Sequence, residues 1–124
     1  MKRVSRAAGL TVAISLLATA VQAMSVREFL NTAAQIPRNP TALLRSDTRR
    51  LIGEIRGATR TINAEREAAV AAGRRPAYCP SSGRASVSSN ELLARFNSIP
   101  ENRRSISVTQ AMREWMAERY PCPA

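Results

Sequence analysis

Histidine is absent from this 124-residue chain. That removes the side chain most often used as general base, proton shuttle and zinc ligand. Lysine occurs once, at position 2, so no Ser-x-x-Lys arrangement exists, and no glycine-rich phosphate loop is present either. Aromatic residues make up 4% of the chain, which is poor material for the stacking platforms of nucleic-acid binders. No stretch of useful length alternates apolar and polar residues, so strands are not expected. The nine carboxylates are scattered along amphipathic segments, where pairing with arginine accounts for them. Serines fall at helix starts, where capping accounts for them without nucleophilic duty. These absences leave no catalytic residue, no metal-ligand set and no cofactor site, and the chain reads as a non-enzyme.

What is present begins with a leader. Lys2, Arg3 and Arg6 precede a short apolar core running from Gly9 to Leu17, and Val21-Gln22-Ala23 offers small residues at the −3 and −1 positions. This is the pattern of a secretory signal peptide over residues 1–23, with cleavage expected after Ala23 and a periplasmic mature protein. A membrane anchor would need about 20 apolar residues, and the run is shorter. Residues 24–124 then form one small domain with a thin core. Cleavage takes the formal charge from +10 to +7, and every remaining basic residue is arginine. A basic exported protein can meet an acidic protein surface or anionic lipid, while nucleic acid and stable membrane insertion are not expected.

Cys79 and Cys122 are the only cysteines, each beside proline and tyrosine in Tyr78-Cys79-Pro80 and Tyr120-Pro121-Cys122-Pro123. In an oxidising compartment two cysteines most simply form one disulfide. Two free thiols or a redox pair are the alternatives, and the wide separation argues against a Cys-x-x-Cys redox motif.

Between these anchors the periodicity is helical. Ser25 and Glu28 form a capping box, with Met24 and Phe29 at the staple positions, ahead of a stripe of Val26, Phe29, Leu30 and Ala33 that Pro37 ends. Asn39-Pro40 restarts a short turn carrying Leu43 and Leu44. A long helix is expected from about Asp47 to Ala72, its seam running through Thr48, Leu51, Ile55, Ala58, Ile62, Ala69 and Ala72 and broken only by Glu65. Gly73 stops it. Gly53 and Gly57 lie inside it, each costing about 1 kcal/mol relative to alanine; close approach of another helix would compensate, and docking of a partner segment is the alternative. After the loop 74–87, Ser88 and Glu91 form a second capping box before Leu92, Leu93, Phe96 and Ile99. Ser107 and Gln110 form a third before Val108, Ala111, Met112, Trp115 and Met116. The fold class is therefore all-α: a small bundle of four to five helices with a long central helix and one disulfide.

Several of these segments resemble the Rap/Tai family. Leu51-Ile52-Gly53-Glu54-Ile55-Arg56-Gly57 is similar to that family's central Gly-Tyr-Ile-x-Gly motif, and Tyr78-Cys79-Pro80 to its aromatic-Cys-x-Pro loop. Glu91-Leu92-Leu93, Pro100, the 107–112 helix start and Tyr120-Pro121-Cys122 resemble its C-terminal half. The resemblance covers about residues 43–123. It departs at Leu51, where members often carry a cysteine, and at Glu54, which replaces the motif tyrosine. The resemblance implies an exported helical protein of Gram-negative bacteria, an immunity protein that occludes a peptidoglycan amidase effector delivered by type VI secretion, often as a homodimer. Arg74, Arg75 and Arg84 are the candidates for a partner surface, and Gly53, Ile55 and Gly57 for helix packing. A different class of function is an envelope-stress or chaperone-like protein that binds unfolded clients or anionic surfaces through its arginines.

Overall fold

A computed structural model describes residues 23–82 and 85–124. Four α-helices and two short 3-10 turns follow one another: α1 (Val26–Ala34), a turn at Pro40–Leu44, α2 (Ser46–Ala71), α3 (Ser89–Ser98), a turn at Glu101–Arg103, and α4 (Val108–Arg119). The described residues contain no strand, only one isolated antiparallel bridge between Ser25 and Ser107. No helix among the described residues is long and apolar enough to cross a membrane. The expected leader lies outside the described residues except for Ala23.

The bridge answers a problem common to all helices. The first backbone N–H groups of a helix have no partner within it. Here the chain entering α1 and the chain entering α4 run side by side and satisfy each other. The N–H of Val26 donates to the carbonyl of Ile106 at 3.0 Å, that of Arg27 to Arg104 at 2.9 Å, and that of Val108 to Met24 at 2.9 Å. The Ser25 and Ser107 hydroxyls accept from the N–H groups of Glu28 and Gln110. Ser88 and Glu91 alone complete the reciprocal box. The other two boxes are corrected to single caps, because the answering side chains are drawn elsewhere. Glu28 pairs with Arg50 of α2 at 2.6 Å, and the Gln110 carbonyl oxygen accepts from Arg113.

The core forms where the apolar stripes meet. Val26 and Phe29 of α1, Leu51, Ala58 and Ile62 of α2, Leu92 and Phe96 of α3, and the whole expected stripe of α4 are buried together. Phe29 and Phe96 meet edge to face, with ring centroids 5.3 Å apart. This is the arrangement in which the ring quadrupoles attract. Ile55 is half-buried and packs against this cluster. The expected seam of α2 holds from Leu51 to Ala69 but not at Ala72, which is exposed beyond the last turn.

Gly53 and Gly57 do not mark a close helix crossing. A Cβ built on either would meet nothing within 4 Å. The reason is angular: at 3.6 residues per turn both positions fall on the side of α2 away from the Leu51–Ala58–Ile62 stripe. With no steric role inside the chain, each glycine only loosens the helix. Gly53→Ala and Gly57→Ala are each expected to raise stability by about 0.5–1 kcal/mol, measured as a higher urea midpoint at unchanged slope.

Candidate functional site

The end of α2 builds a basic corner. Gly73 adopts φ +69°, the left-handed conformation that suits glycine. Its N–H donates to the carbonyl of Val70 at 3.1 Å, and the N–H of Arg74 donates to that of Ala69 at 2.8 Å. This paired closure turns the chain sharply away from the helix axis and sets Arg74 and Arg75 on its outer side. The chain then runs back along α2 through Pro76 and Ala77 to Tyr78, whose ring is 3% exposed.

Tyr78 is held on every side. Its hydroxyl donates to Asn63 of α2, the Arg66 guanidinium lies 5.6 Å from its ring centroid, and Arg66 Nε donates to its carbonyl at 3.2 Å. Burial pushes its phenol pKa up, against the opposing pull of Arg66. The next residue is Cys79, bonded to Cys122 with an S–S distance of 2.06 Å. The N–H of Cys79 donates to the carbonyl of Tyr120 at 2.7 Å, and Arg75 donates to the carbonyl of Cys122 at 2.8 Å. Further along the loop, the Tyr120 hydroxyl oxygen accepts from the N–H of Ser86 and the Tyr120 O–H donates to the carbonyl of Ser86, each at 3.2 Å. The Ser86 backbone hydrogen bond and Arg119 lower the Tyr120 phenol pKa. The loop is thus clipped to the C-terminal segment at two places, one of them covalent.

A pocket of about 210 Å³ opens in this corner, lined by Ile62, Glu65, Arg66, Ala69, Arg74, Arg75, Ala77, Tyr78 and Arg113. Four guanidinium groups surround it against one carboxylate. Arg113 and Glu65 form a two-pronged pair at 2.8 and 2.7 Å that clamps α4 to α2. The Arg113 hydrogen bond holds the Glu65 carboxyl below its ordinary pKa of 4.5. A carboxylate stabilised in the folded state contributes stability above its unfolded pKa and loses it as pH falls through the lowered folded value. Glu65→Gln is therefore expected to lower stability at neutral pH, where the pair's contribution is fully present, and to converge on the wild type as pH falls below 4.5, so that the acid limb is flatter. Thermal melts between pH 7 and pH 3 check this.

Of the residues singled out from sequence, Arg74 and Arg75 come together here beside both cysteines. Arg84 lies outside the described residues, and Gly53 and Gly57 are not part of the corner. Arg66, Glu65 and Arg113 complete it and were not singled out. The signal for them was the break at Glu65 in the α2 seam: a charge in line with an apolar stripe points to an opposite charge from a facing helix. No group of acidic residues, cysteine or histidine among the described residues is placed to hold a metal ion. The chemistry this corner offers is recognition of negative charge by guanidinium groups on a pinned scaffold. Comparison with protein-family models, curated proteins and solved structures finds no match to this chain.

Proposed function

We propose that this chain is an exported inhibitory binding protein of the Rap/Tai immunity type, which occludes the cleft of a peptidoglycan amidase. The observation that carries the reading is the basic corner held by the Cys79–Cys122 disulfide. Arg74 is exposed there and makes no ion pair among the described residues. A surface fixed before binding loses little conformational entropy on docking. Unpaired guanidinium groups on it raise the association rate toward an acidic rim and make that rate fall with salt.

The test mixes the oxidised protein, expressed with its own leader, with the product of the adjacent gene, assayed for peptidoglycan amidase activity. A stable complex and loss of amidase activity are expected. Arg74→Glu is expected to slow association by about tenfold, since a charge reversal at the rim acts mainly on the on-rate. Arg75→Glu is a less clean probe, because Arg75 also holds the Cys122 carbonyl. Absence of a complex, or a complex indifferent to Arg74→Glu, contradicts the reading. A second reading draws on Leu43 and Leu44, which are 71% and 78% exposed: a chaperone-like envelope protein that holds unfolded clients. Suppression of client aggregation without amidase binding would favour it.

A further inference from the structure

A second cavity, of about 390 Å³, lies between α1, α2 and the start of α3. Its walls are apolar: Phe29 and Ile36, Leu51 and Ile55, Leu92 and Leu93. Its few polar groups are specific in character. Arg38 and Arg56 line it, are exposed, and make no ion pair among the described residues. Thr48 also lines it. A concave apolar site of about 300–1,000 Å³ with a few convergent polar groups is the usual form of a small-molecule site.

We infer that this groove binds a single-chain anionic amphiphile of the fatty-acid class. The apolar walls take the alkyl chain, and the carboxylate meets the arginines at the rim. Charge complementarity selects this occupant. A second copy of the chain would bring further arginines to a rim that already lacks carboxylates, and residues 1–22 carry only basic charge. Guanidinium and carboxylate match in geometry as well as charge, through paired N–H···O bonds. The inference does not depend on amidase binding, which is assigned to the corner by the disulfide.

The experiment titrates dodecanoate, below its micellar concentration, into the oxidised full chain by calorimetry, with decanoate and dodecanol as comparisons. Saturable one-to-one binding of dodecanoate is expected, roughly tenfold tighter than decanoate because two further methylenes are buried. Dodecanol, which lacks the charge, is expected to bind at least tenfold more weakly. The double variant Arg38→Glu/Arg56→Glu is expected to lose this preference for the acid, whereas Arg74→Glu, at the other site, leaves it intact. Ala33→Trp is expected to fill the groove and abolish binding of both ligands; if that variant does not fold, the acid-to-alcohol ratio in the arginine variant still decides. No saturable binding, equal affinity for acid and alcohol, or equal loss from Arg74→Glu would overturn the inference. So would failure of dodecanoate together with protection of Ile52 and Leu93 by a bound protein partner, which would assign the groove to a partner helix.

Discussion

Replacing both cysteines, Cys79→Ala with Cys122→Ala, is expected to destabilise the domain by about 4 kcal/mol. The disulfide joins residues 43 apart in sequence. Opening so large a ring returns to the unfolded chain an entropy worth about 4 kcal/mol in the chain-entropy account. For a domain of this size, 1 kcal/mol moves the melting temperature by about 4–8 °C, so the midpoint should fall by roughly 15–30 °C. Reducing the wild-type protein should reproduce the shift. The cross-link also decides where order is lost first. It joins the loop after α2 to the segment after α4, and the Cys79–Tyr120 and Arg75–Cys122 hydrogen bonds depend on that closure. Hydrogen exchange in the variant is therefore expected to rise first around residues 74–80 and 119–122. A shift of only a few degrees would mean that the helical core alone sets the stability.

Phe96→Ala is expected to cost about 3–5 kcal/mol, the range for emptying a buried aromatic site. Phe96 is fully buried and gives its ring to Phe29 across the α1–α3 contact. The substitution removes an edge-to-face partner and leaves a void in the shared core. Against a total stability of about 5–15 kcal/mol for small domains, that loss is a large share of what holds the fold. Phe96→Leu keeps most of the apolar volume and is expected to lose less. Arg50→Ala, which breaks the exposed pair with Glu28, is expected to cost at most about 1 kcal/mol. Urea denaturation of the three variants should preserve this order; a Phe96→Ala protein as stable as Arg50→Ala would contradict the core described above.

The helices were legible in sequence because their signals are local. Ser25, Ser88 and Ser107 each cap the helix they precede, and Pro37, Gly73 and Pro121 mark ends by backbone geometry alone. The apolar stripe of α4 is buried residue for residue. What stayed hidden depends on residues distant in sequence. The Ser25–Ser107 bridge joins two non-periodic segments, so no local pattern announces it. Whether Glu28 answers its own cap or reaches Arg50 is decided by how α1 crosses α2. The two glycines of α2 were open to two readings because composition does not say which face of a helix meets the core; their angular offset from Leu51 and Ala58 does. The basic corner was half legible. Arg74 and Arg75 stand next to each other beside the loop cysteine, but Arg66 and Arg113 join them only after the chain turns at Gly73 and α4 lies along α2. The apolar groove had no signature, since its walls come from three stripes each of which also serves the core.

Mass spectrometry of the protein recovered from whole cells of its native host, without reduction and with free thiols alkylated, bears most directly on the reading as an exported protein braced by one cross-link. The expected species begins at Met24, takes up no alkyl group, and on digestion yields the peptides of Cys79 and Cys122 as one linked pair. A chain that keeps Met1 and carries two alkylated cysteines would contradict both the compartment and the brace on which the proposed binding surface depends.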